Sequence, residues 1–149
     1  MRGELFIVEL HTRGLQPRQA YLKVKFYRAL KKHSVFTLGR KHIVPQSRLR
    51  LVDAAFRLIR SELGEGADVW YTTIPLRAVG PSENIIREVW AKYEEILRAL
   101  ERRGGRGKKL LEDAEEVASF LGPEALRKLH ELRKRLAEHE GKTYKQPRR

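Results

Sequence analysis

Eleven cationic side chains fall within 43 residues, Leu10 to Val52, that contain no Asp or Glu: Arg13, Arg18, Lys23, Lys25, Arg28, Lys31, Lys32, Arg40, Lys41, Arg48 and Arg50. His11, His33 and His42 and the rings of Tyr21, Phe26, Tyr27 and Phe36 are interleaved with them. A field of one sign attracts polyanions, and Lys or Arg that neutralise phosphates release counterions without reading base sequence. Rings add a second chemistry, because a base stacked on an exposed one contributes roughly 1–3 kcal/mol. A solvated face normally mixes both signs, and this stretch does not. The first expectation is a nucleic-acid surface.

Composition narrows the alternatives. The formal net charge is +13 over 149 residues, beyond what solubility requires. No run approaches the roughly 18 apolar residues of a membrane span. The opening Met1 to Leu10 is too short and too acidic in its apolar part for a secretory signal. A soluble, cytoplasmic, nucleoid-associated protein is expected, with no membrane partner. With no cysteine there is neither a disulfide framework nor a thiolate metal site. The absence of cysteine, one Met, one Asn and 34% charged residues resemble the composition of hyperthermophile proteins.

Catalysis finds little to stand on. The five histidines form no helical metal-binding pair, and no lysine occurs between Lys41 and Lys92. A metal nuclease would have to assemble Asp53, Glu65 or Asp68 with remote groups. Gly104-Gly105-Arg106-Gly107-Lys108-Lys109 fails as a phosphate loop. Arg102 stands where the first Gly belongs, and Lys109 where a Ser or Thr should follow the Lys. No catalytic residue, metal or cofactor is expected.

The elements that must carry these groups follow from periodicity. Leu5 to Leu10 predicts a strand, and Pro17 fits the first turn of a helix reaching about Lys32. On that helix Arg18, Tyr21, Lys25, Arg28 and Lys32 share a face, with Ala20, Val24 and Tyr27 opposite. Alternation of Leu22, Val24 and Phe26 with Lys23 and Lys25 also fits a strand; the helix is preferred. Ser34 to Leu38 and Arg40 to Val44 predict two short strands turning at Gly39. Ser47 is the expected cap of a helix to Leu63, with Leu49, Val52, Ala55, Phe56, Ile59 and Leu63 on one arc. Ala67 to Ile74 predicts a strand closed by Pro75, with Leu76 to Val79 continuing it as an edge. Adjacent Trp70 and Tyr71 must then point to opposite faces. Ser82 caps a helix to about Arg103 whose arc includes Val89, Trp90, Tyr93, Ile96 and Leu100. Trp90 and Tyr93 read as core.

Beyond the Gly-rich joint at 104–107, Lys108 to Leu121 and Glu124 to Glu140 predict two helices meeting at Gly122-Pro123. Each carries a stripe that must be buried: Leu111, Ala114, Ala118 and Leu121 on the first, and Leu129, Leu132 and Leu136 on the second. Folding back on the same chain is one solution; self-association is the one expected, with Leu111, Leu121, Leu129, Leu132 and Leu136 at the contact. The division is thus a basic α+β domain (1–103), a hinge (104–107), a dimerising hairpin (108–140) and a basic tail (141–149) that frays.

A small basic α+β domain to about Arg103 followed by a leucine-bearing helical segment resembles the ThermoDBP family. These are archaeal single-stranded-DNA-binding proteins without the usual oligonucleotide-binding barrel. The resemblance implies a cleft with an apolar floor and basic walls, little sequence preference, and a homodimer. One departure is the break at Gly122-Pro123, which points to a helix-turn-helix dimer module, as in a related branch of the family, and keeps RNA in view as the ligand. The residues themselves nominate Arg18, Tyr21, Lys23, Lys25, Arg28, Lys32, Phe36, Arg40, Lys41, Arg48, Arg50, Trp70 and Tyr71 as the strand-binding set. The expected function is sequence-tolerant binding and protection of single-stranded nucleic acid, DNA before RNA. A duplex-binding architectural protein is the rival.

Overall fold

The computed structural model describes residues 3–78 and 82–145, the side chains at 82 and 139–145 excepted. Strand β1 (Leu5–Arg13) is central, pairing antiparallel with β3 (Lys41–Pro45) on one side and β4 (Asp68–Pro75) on the other. The short β2 (Phe36–Leu38) pairs antiparallel with β3, so the order is β2-β3-β1-β4. Helices α1 (Ala20–His33) and α2 (Leu49–Arg60) join these strands. Three more follow: α3 (Ser82–Arg102), α4 (Lys108–Leu121) and α5 (Pro123–Lys145). Among the described residues the fold is α+β, one four-stranded antiparallel sheet with five helices, as expected.

Two compact units divide the chain: Glu4–Val79, and Gly80–Arg149 together with Met1–Gly3. The boundary expected at 104–107 therefore falls inside the second unit, because α3 packs on α4 and belongs with the hairpin. Gly104 and Gly105 explain why. The Gly105 N–H bonds the Leu100 carbonyl and the Gly104 N–H bonds that of Glu101, at 2.9 Å each. With φ of +63° and +83°, the two glycines form a Schellman cap that ends α3. The joint is a structured helix end.

In the first unit, register decides which side chains meet. Val8, Val44 and Val69 lie on one sheet face, and Phe26 and Leu30 of α1 and Val52 and Phe56 of α2 close over them. Phe26 and Phe56 meet edge-to-face at 4.7 Å between ring centres. Leu22, Phe26 and Leu30 are the buried residues of α1, a spacing of four that settles the ambiguity in favour of helix. A strand would have buried Val24 with Leu22 and Phe26; Val24 is exposed. So is Tyr27, and the inward arc expected at Ala20, Val24 and Tyr27 is replaced by one rotated toward Leu22 and Phe26.

Local differences have local reasons. Ser47 lies within a 3-10 turn (Gln46–Arg48), and Arg48 takes the cap position of α2 without a side-chain bond. Leu76–Ala78 form a 3-10 turn in place of the expected edge. The cap assigned to Ser82 lies outside the described side chains. Residues 141–145 continue α5 instead of fraying, and 146–149 lie outside the described residues.

The second unit buries Val89, Tyr93, Ile96 and Leu100 of α3, Ala114, Val117, Ala118 and Phe120 of α4, and Ala125, Leu129 and Leu132 of α5. The Tyr93 hydroxyl donates to the Ala125 carbonyl, and Arg135 pairs with Glu101 at 3.2 Å. Leu129 and Leu132, expected at a dimer contact, are thus buried within one chain. Leu111, Leu121 and Leu136 are half-buried. The physical reason is economy of distance: α3 supplies an apolar arc beside the hairpin, so the leucine stripe is covered without a second molecule. Among the described residues no helix is long and apolar enough to cross a membrane.

Candidate nucleic-acid interface

α1 presents its cations outward because its buried arc is narrow. Lys23, Lys25, Arg28, Lys31 and Lys32 are all exposed, and so are Tyr21, Val24 and Tyr27 between them. Only Lys25 has an acidic partner, holding both oxygens of Glu62 at 3.0 Å, while its ammonium lies 5.6 Å from the centre of the Tyr21 ring. Lys23, Arg28, Lys31 and Lys32 enter no ion pair among the described residues. Arg50 of α2 is also exposed and unpaired there; Arg57 is tied to Asp53 at 2.8 Å.

An apolar component accompanies the charge. Among the described residues seven large hydrophobic side chains are exposed, and five of them (Tyr21, Val24, Tyr27, Leu51 and Leu58) sit on α1 and α2. Leu58 is 75% exposed and Tyr21 54%. By the helical period Leu51, Ala54 and Leu58 form the ridge of α2 opposite Val52 and Phe56. The outer surface of this helical layer therefore combines free cations with uncovered rings and aliphatic groups. Such a surface can neutralise phosphates and at the same time shield bases from water.

At one margin Tyr27 lies 6.1 Å from His42, ring centre to ring centre. Burial, and then the charge of Lys31, lower the His42 pKa, keeping that imidazole neutral at physiological pH.

The thirteen nominated residues do not converge on one surface. Arg18, Tyr21, Lys23, Lys25, Arg28, Lys32 and Arg50 are exposed on the helical layer or the 3-10 turn (Pro17–Gln19) leading into it. Arg40 lies in the β2–β3 turn, exposed. Arg48 is half-buried, donating to the His33 carbonyl at 3.4 Å, and so serves the fold. Tyr71 faces the core, edge-on to Phe56 at 5.1 Å; burial foremost, then the charge of Asp53, raise its pKa. Phe36, Lys41 and Trp70 belong to the sheet face turned away from α1, because Phe36 registers with Ile43, Lys41 with Leu38 and Trp70 with His11. Trp70 and Tyr71 do point oppositely. Tyr71 is the ring that enters the core.

Four contributors lie outside the nominated set: Tyr27 and Lys31, which the acid-free stretch already contained, and Leu51 and Leu58. Leu51 and Leu58 stand seven residues apart and off the arc of Val52, Phe56 and Ile59, a signal the helical period contained. No metal-ready cluster of three or more His, Asp or Glu occurs among the described residues. No protein-family model, curated protein or solved structure matches this chain.

Proposed function

We propose that the protein binds single-stranded nucleic acid with little sequence preference, through the outer surface of α1 and α2, and that its role is to protect exposed strands. The observation that carries this reading is the coincidence of unpaired cations with most of the exposed large hydrophobic side chains on one helical layer. Duplex binding draws on phosphate contacts and on groove edges read by a fitted element, and it leaves a leucine ridge and tyrosine rings without use. Unstacked bases need such groups. DNA is favoured over RNA on the resemblance to the ThermoDBP family, and association with the nucleoid follows from that choice. Homodimerisation through the hairpin leucines does not enter this reading, since Leu129 and Leu132 are already covered.

The test is a competition titration of labelled oligonucleotides at two salt concentrations. Single strands should win over duplex of the same length at both, and affinity should fall steeply with salt. Equal affinity for duplex would sink the reading in favour of an architectural protein. RNA winning over DNA of the same sequence would correct the ligand and leave the surface in place.

A further inference from the structure

The sheet face turned away from α1 holds a second pair of rings. Trp70 and His11 are opposed across β4 and β1, stacked with centres 5.6 Å apart and planes within 27°, and both are half-buried. The stack is held from one side: His11 Nε2 and Thr72 Oγ1 are hydrogen-bonded at 2.8 Å. A ring fixed in this way loses little rotamer freedom when a planar group adds to it, which is what a stacking platform requires. The surrounding charge is unlike that of α1. Glu9 and Asp68 share this face with Arg13 and Lys41, so the formal charges balance and the face has no net attraction for phosphate.

Continuity supplies the occupant. β4 is an edge strand, and α2 packs over it from the other side. Arg60 of α2 reaches that edge and donates from Nε to the Val69 carbonyl at 2.8 Å, one residue from Trp70. The helical layer thus continues from α1 across Arg50 of α2 to Arg60, at the edge where Trp70 begins the opposite face.

We propose that the Trp70–His11 stack is a separate subsite for a nucleobase of the same strand, reached around the β4 edge. This rests on the strand-binding reading above. The helical layer supplies the electrostatic attraction. The sheet face adds stacking and, with Glu9 and Asp68 balanced by Arg13 and Lys41, no pull on phosphate, so that a base and not the backbone is seated there.

The experiment uses the full chain with Trp90→Phe, leaving Trp70 as the fluorophore. Oligo-dT should bind, by anisotropy of a labelled strand, and quench Trp70 emission. Polyphosphate, which has charge and no bases, should bind without quenching. Trp70→Ala should weaken oligo-dT binding about 5- to 160-fold, the loss of one stacked base, and leave the salt slope unchanged. Trp70→Phe, which keeps a ring, should retain most of the affinity. Saturation by oligo-dT with Trp70 emission unmoved would overturn the subsite while leaving strand binding intact. So would an unchanged affinity in a folded Trp70→Ala variant. Should Trp70→Ala unfold the sheet, the fluorescence arm decides alone. If no oligonucleotide raises the anisotropy, the strand-binding reading itself has failed, and the subsite with it.

Discussion

α1 and α5 are both rich in cations, yet only one of them offers a field. α1 carries five Lys or Arg and no acid in 14 residues; α5 carries seven and four Glu in 23. On α5 acids lie among the cations, and two of the seven are used locally. Arg135 is paired with Glu101, and Lys128 covers the Trp90 ring at 5.2 Å. Both also line a surface cavity of about 260 Å³ with Glu94, Glu101 and Glu131. On α1 only Lys25 is so engaged. Cation count is thus a poor guide to a polyanion site; a run of cations with no acid among them is a better one.

The largest expected effects concern what holds each region together. Leu132→Ala should destabilise the helical unit by about 2–5 kcal/mol, and Phe56→Ala the sheet unit by about 3–5 kcal/mol, in urea melts followed by circular dichroism. If Leu132→Ala leaves the melt untouched and instead converts dimers to monomers by light scattering, the leucine stripe is an interface between chains.

Next comes the field itself. Arg28→Gln with Lys32→Gln should lower the salt slope of strand binding by about 1.4, roughly 0.7 for each phosphate no longer neutralised. Arg133→Gln with Lys134→Gln on α5 removes the same charge and should leave the slope unchanged. Equal losses from both pairs would erase the distinction between the helices. Lys25→Ala should lower the slope by less than about 0.7, because Glu62 already holds that ammonium. Its cost in stability should not exceed about 1 kcal/mol, since the pair is exposed.

The smallest effects separate the units by pH. Burial pushes Tyr93 up to about 12, so the folded helical unit keeps a proton that the unfolded chain releases near 10. Its stability should be full below pH 10 and decline as pH rises toward 12, and Tyr93→Phe should remove that decline. In the sheet unit His42 is lowered below 6.5, so the unfolded chain takes up the proton first. Stability should be full above pH 6.5 and fall as the pH drops through the lowered value, with His42→Gln flattening the curve. Tyr71, also raised, gives the sheet unit an alkaline decline of its own, so in melting curves at stepped pH with separate probes the acid-side loss should mark the sheet unit.

Much of the fold was legible in the chain. Patterns with one period and a clear boundary came through with small shifts: α3 from Ser82, α4 between Gly107 and Gly122, and the β2–β3 hairpin at Gly39. The opposition of Trp70 and Tyr71 was also legible, because strand geometry alone imposes it. Which of the two enters the core was not, since that depends on which face α1 and α2 cover. The candidate site was legible in kind and not in membership. Arg48 and Tyr71 are as cationic or aromatic in sequence as Arg28 and Tyr21, yet a carbonyl at His33 and a ring at Phe56 claim them.

By itself the sequence determined the one-sign stretch from Leu10 to Val52, the α+β succession of elements and the need of two C-terminal stripes for cover. These are properties of composition and local period, which no folding rearranges. Only the tertiary structure decided that α3 supplies the cover, that the Gly-rich joint is a helix cap, and that the nominated residues part onto two faces of one sheet. Each of those outcomes depends on which distant segment arrives beside a given side chain, and local pattern holds no information about arrivals.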